Sequence, residues 1–125
     1  MPTALVTGGA IRLGRSVALH LAGRGYNIAL QYCSSRESAK QTAKEIRNFD
    51  VQCKTYHGDF TDFNSILLLM DQVLADFNSI DLLINSAANF IQKKIEETSN
   101  SELLDTININ LMAPFILMRE FKKKV

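Results

Sequence analysis

The residues best placed to do chemistry stand near the start of the chain, in Thr7-Gly8-Gly9-Ala10-Ile11-Arg12-Leu13-Gly14. This run separates a short apolar segment, Thr3 to Thr7, from a segment with helical spacing. Glycines at such a junction let the backbone turn tightly and come close to a ligand. A helix N-terminus behind them offers unspent N–H groups and a partial positive charge, which together hold phosphate. No Lys-Ser or Lys-Thr pair follows Gly14, so the run is not a P-loop. Most glycine clusters are plain turns. The place of this one, after the first strand of an alternating chain, is where ligands bind in such sheets.

A second group lies at the end of the next strand, Gln31-Tyr32-Cys33-Ser34-Ser35-Arg36. Sheets that select NAD place an acid there for the ribose hydroxyls, and none appears before Glu37. Hydroxyls and a guanidinium suit a ribose 2′-phosphate, so the residues favour NADP(H) over NAD(H). The competing reading makes Ser34 and Ser35 helix caps and Arg36 a solvated first-turn residue. After the third strand, Asp59 can accept the adenine amino group and Phe60 can pack on the ring; the alternative is a helix start capped by Asp59 or Asp62. Asn85-Ser86-Ala87-Ala88 ends the fourth strand, where small side chains leave room for a flat ring.

These motifs need elements to carry them. Strand patterns at Thr3–Thr7, Tyr26–Tyr32, Val51–Tyr56 and Ile80–Ile84 alternate with helical patterns. The third alternates as an edge strand does, and the fourth is almost continuously apolar, the mark of burial on both faces. Helices are expected from about Arg12 to Gly25, after Ser34 and Ser35, from Asp62, and from near Ser101 into the basic end. Strand-helix alternation implies parallel strands with right-handed crossovers, a doubly wound α/β sheet. Residues 1–125 read as one Rossmann-like half-domain that stops after about four strands and four helices.

Composition narrows the classes. The 125 residues are 46% apolar with net charge +1, which excludes a disordered tail and offers no basic excess for nucleic acid. No run reaches membrane-span length and no secretory pattern opens the chain. Cys33 and Cys53 lack metal spacing, so reduced thiols in the cytoplasm are expected. His57 reads as a strand-end residue, and His20 sits in a helix without a partner.

The string Thr-Gly-Gly-Ala-Ile-Arg-Leu-Gly resembles the cofactor turn of the short-chain dehydrogenase/reductase family, and most closely its pteridine reductase branch. The family usually has a glycine where this chain has Arg12. The resemblance runs from Thr3 to about Phe121. It implies a pyrophosphate cradle at Gly8, Leu13 and Gly14, with Arg12 reaching the adenosine ribose or its phosphate. It makes Asp59 and Phe60 the adenine-edge pair. Asn85-Ser86-Ala87-Ala88 resembles the family's Asn-Asn-Ala-Gly segment, with Ser86 and Ala88 as departures.

The last helix is apolar around most of its circumference, as in a core or an oligomer interface. Pro114 has no N–H for the carbonyl of Asn110, four residues earlier. A buried carbonyl so freed needs another partner. The resemblance implies that Asn110 holds a water of the proton relay; the alternative is a kinked packing helix.

The family's chemistry also needs a Tyr with a Lys four positions on, and a Ser on the preceding strand. Tyr26, Tyr32 and Tyr56 are followed at that distance by Leu30, Arg36 and Phe60. The expectation is an NADP(H)-dependent reductase shortened to its cofactor half, inactive alone and of marginal stability, with the fourth strand an uncovered edge. A small-molecule carbonyl or pterin substrate belongs to a full-length form. The alternatives are a nucleotide-binding or interaction module that associates through the long helix, and an inert remnant.

Overall fold

A computed structural model describes residues 1–124. Four parallel strands form one sheet: β1 (Thr3–Thr7), β2 (Asn27–Tyr32), β3 (Cys53–His57) and β4 (Leu82–Asn85). Their spatial order is β3-β2-β1-β4. The crossover helices are α1 (Arg12–Gly23), α2 (Arg36–Arg47) and α3 (Phe63–Phe77), followed by α4 (Asn100–Ile107) and α5 (Ala113–Lys124).

Period-2 alternation sends successive side chains of each strand into different cores. Val6, Ile28 and Leu30 face α1 and α2, meeting Ala18, Ala22, Ala39, Ala43 and Ile46. Leu5 and Ala29 face the other way, against Ile66, Leu69, Met70 and Val73 of α3 and Leu117 of α5. The alanines of α1 and α2 let those helices sit close to the sheet. Each fully buried Leu or Ile here contributes about 1.5–3 kcal/mol of burial free energy. The doubly wound α/β sheet expected from the alternation is thus present, with helices on both faces.

Local signals explain the helix ends. Asp62 caps α3 by accepting from the Asn64 N–H at 3.0 Å, and Asn78 ends it in the left-handed region at φ 69°. Ser99 and Glu102 form a reciprocal capping box at the start of α4.

Two expectations need correction. The apolar run of the fourth strand does not bury it on both faces; β4 is instead the uncovered edge that the strand order implies, pairing among the described residues with β1 alone, with Leu82, Leu83 and Ile84 half-buried. The long helix is also not continuous. Between α4 and α5 the ladder widens to a π turn over Asn108–Met112, where the Ala113 N–H donates to the Asn108 carbonyl. Pro114, in the first turn of α5, cannot donate to that ladder, and a π turn is one way a helix absorbs such a loss.

Candidate dinucleotide site

The parallel register lines up the carboxyl ends of the strands. Thr7 of β1 lies opposite Asn85 of β4, and Tyr32 of β2 opposite His57 of β3. Above these ends opens a cleft of about 330 Å³. Gly8, Arg12, Leu13 and Gly14 line it from the glycine turn and α1; Tyr32, Ser34 and Ser35 line it from the end of β2; Ser86 and Ala87 line it from the end of β4. Ala10, Ile11, Gln31, Cys33, Ala88 and Ile109 also line it.

The glycine turn is built by close approach. Gly8 has φ +60°, and a Cβ there would stand 2.9 Å from the Ala87 Cα. A Cβ on Gly14 would overlap the Gly8 carbonyl oxygen. The first turn of α1 is therefore pressed against the turn, with its N–H groups directed into the cleft end of the helix. Arg12 takes φ +53°, a left-handed backbone that glycine adopts without strain and a long side chain does not. The Thr42 hydroxyl donates to the Ala10 carbonyl at 2.9 Å, tying α2 to the same turn.

On the adenosine side, Ser35 precedes α2 but makes no side-chain cap hydrogen bond. Its hydroxyl is not spent on the helix. Tyr32 is 8% exposed and stacks edge-on with His57 at 5.7 Å. The Arg36 guanidinium lies 6.0 Å from the Tyr32 ring centre, within cation–π range. Arg36 itself does not line the cleft; its exposed side chain stands at the rim.

Asp59 is exposed at the turn after β3 and accepts from both the Thr61 N–H (3.0 Å) and the Thr61 hydroxyl (2.7 Å). Those two bonds hold its carboxyl below the usual range. Phe60 requires a correction: it is 3% exposed and packed in the α3-side core. Its ring is not available as a platform for a base, because burial there contributes more than exposure at the cleft.

On the far side, the Thr7 hydroxyl accepts from the Ser86 and Ala87 N–H groups, both at 3.0 Å. Asn85, the last residue of β4, is exposed and outside the cleft lining. Asn110 also lies outside it. Its Oδ1 accepts from the Asn89 N–H and its Nδ2 donates to the Asn89 carbonyl, each at 2.9 Å. The side chain thus pins the segment after β4 to the π turn. Asn110 is exposed rather than buried, which corrects the premise of a buried orphan carbonyl. Among the described residues, Asn89 Oδ1 is the buried side-chain atom without a hydrogen-bond partner.

The sequence names Thr7 and Gln31 within its motifs but gives their side chains no role. Thr7 heads the glycine run, and its hydroxyl has meaning only once β4 is beside it. Gln31, 2% exposed, sat as a polar residue in a strand without a partner in sequence. Among the described residues no cluster of acidic, His and Cys side chains suits a metal ion. No helix among them is long and apolar enough to cross a membrane.

A glycine turn at a helix N-terminus, set at the carboxyl ends of parallel strands in a doubly wound sheet, defines the dinucleotide-binding class of α/β folds. The chain matches the short chain dehydrogenase family over residues 2–125, and it belongs to that family. It is 33% identical over 113 residues to the 3-oxoacyl-[acyl-carrier-protein] reductase FabG of Staphylococcus aureus (strain Mu50), an alignment covering 90% of this chain and 46% of that protein. A short chain dehydrogenase from Burkholderia cenocepacia J2315 in complex with NADP superposes with TM-score 0.95 at 25% identity, covering 99% of this chain and 51% of that one. An NAD+-bound xylitol dehydrogenase superposes with TM-score 0.88 at 26% identity, covering 98% and 47%. This chain spans about half the length of the relatives it matches.

Proposed function

We propose that this chain is the NADP(H)-binding half of a short-chain reductase. The observation that carries the reading is the close-packed glycine turn: a Cβ on Gly8 or Gly14 would strike backbone, so only glycine there lets the turn and the start of α1 sit together at the cleft. The fold accommodates NADP in one structural neighbour and NAD+ in another, so the choice of cofactor rests on this chain's own residues. Ser34, Ser35, Arg12 and Arg36 surround the adenosine end with hydroxyls and two cations, and no carboxylate precedes Glu37. That set attracts a 2′-phosphate, which an acid would repel.

The residues divide the work. Leu13 and Gly14 offer backbone N–H groups to the pyrophosphate, and Gly8 gives it room. Tyr32 supports Arg36, and Asp59 accepts from the adenine edge. Ser86 and Ala87 border the nicotinamide end, with Asn85 just outside the lining, and Asn110 fixes the adjoining segment through its two hydrogen bonds to Asn89. A bound cofactor supplies the hydride. The substrate class is a carbonyl, or a pterin C=N bond by the likeness of the glycine turn. None of Tyr26, Tyr32 and Tyr56 has a lysine four positions on, so the proposed role of these residues is cofactor binding and not proton donation. The two free thiols suit the reducing cytoplasm. Exposed Leu104, Leu111, Phe115 and Met118 on α4, the π turn and α5 favour association with a second copy.

The test is a fluorescence titration with NADPH and NADH. Arg36→Asp should weaken NADPH on the order of tenfold more than NADH, the scale of one charged hydrogen bond. Equal losses for the two nucleotides would remove the cofactor assignment.

A further inference from the structure

Gln31 joins the glycine turn after β1, which lines the cleft, to the turn after β3. Its Oε1 accepts from the Gly8 N–H at 2.8 Å, and its Nε2 donates to the Gly58 carbonyl at 2.8 Å. Its own backbone carbonyl accepts from the Gly9 N–H at 3.1 Å. Gly58 in turn donates its N–H to the Tyr32 carbonyl at 2.9 Å. Gly58 immediately precedes Asp59, so the adenine-side turn starts from an atom that Gln31 holds.

We propose that Gln31 is a positioning residue that locks the pyrophosphate turn to the adenine-side turn. The inference rests on the dinucleotide reading of the cleft and deepens it. One consequence concerns Gly8: its N–H is already spent on Gln31, so it does not donate to phosphate. The donors are the N–H groups in the first turn of α1, and Gly8 serves by lacking a side chain.

The amide is matched to this task. Its acceptor meets an N–H and its donor meets a C=O, so the geometry fixes which end is oxygen. Leucine would leave the Gly58 carbonyl unpaired in a buried place and the Gly8 N–H unpaired in a part-buried one. Glutamate would keep an acceptor for Gly8 and set a carboxylate oxygen against the Gly58 carbonyl. Asparagine is one methylene too short to span both. Without the lock, each turn must be ordered separately when a ligand bridges them, and that ordering weakens binding.

The experiment compares Gln31→Leu and Gln31→Glu with the unmodified chain, using NADPH, which spans both turns, and 2′-AMP, which reaches only the adenosine side. Hydrogen exchange at the Gly8 amide is followed without nucleotide. Gln31→Leu should bind NADPH roughly tenfold more weakly, the cost of an unsatisfied buried group, with 2′-AMP affinity unchanged. Its Gly8 amide should exchange faster while the Leu5 and Ile28 amides stay protected. Gln31→Glu should keep Gly8 protected, and it carries the test if the leucine variant does not fold. Unchanged NADPH affinity, or equal losses for both nucleotides, overturns the proposal. If the unmodified chain binds neither nucleotide, the cofactor reading fails. The Gly8 exchange rates then judge the lock alone: faster exchange supports it and unchanged exchange ends it.

Discussion

β1 and β4 lie side by side in register, Thr7 opposite Asn85, yet all five residues of β1 are buried and none of the four in β4 is. On the β1–β2 side, packing sets the cleft. Glycines are pressed against backbone, two alanine-faced helices cover the sheet, and buried amides close the remaining gaps. On the β4 side, hydrogen bonds from single side chains do the positioning: Thr7 to Ser86 and Ala87, and Asn110 to Asn89. The difference teaches that the end proposed for the pyrophosphate relies on close packing in addition to hydrogen bonds, so an added atom is costly there. The end proposed for the nicotinamide relies more on polar contacts, where a lost acceptor is costly.

The largest effect should follow from breaking the shape. Gly14→Ala drives a methyl group into the Gly8 carbonyl, and backbone must move. Denaturant unfolding should show a loss of roughly 3 kcal/mol, and NADPH titration should show no saturable binding. An alanine variant that keeps both would erase the distinction between the two ends. Thr7→Val keeps the volume and removes the acceptor. It leaves two N–H groups at the β1–β4 seam unpaired, for a loss of about 2 kcal/mol, with faster exchange at Ser86 and Ala87 and little change at Gly8. Exchange that rises equally at both ends would show that the two regions are not independently held. Arg12→Gly sharpens the comparison from the other direction. Removing a side chain from φ +53° should raise stability by about 1 kcal/mol while lowering the preference for NADPH over NADH.

Much of this architecture could be read from the residues. The alternation of strand and helix patterns placed the glycine turn, Ser34 and Ser35, and Ser86 and Ala87 around one cleft, because parallel strands bring their carboxyl ends together. Helix boundaries followed where a cap was spelled out, as at Asp62. Burial did not follow where it depends on neighbours. The apolar run of β4 by itself suggests an interior strand; the edge position was expected only through the strand order that the family resemblance implies. Phe60 beside Asp59 suggests a platform for a base, but the direction of its side chain is decided by the α3 core. The strain at Arg12 has no signature in residue type, since it lives in a dihedral angle. Gln31 was hidden because its two partners, Gly8 and Gly58, are 23 and 27 residues away.

The left-handed geometry at position 12 sets a trap for directed evolution. A library sorted by heat tolerance alone would enrich glycine there, because the survivors shed a conformational penalty. The same winners would discard a cation that lines the cleft proposed for the phosphates, so ruggedness and coenzyme choice would drift apart at a single codon.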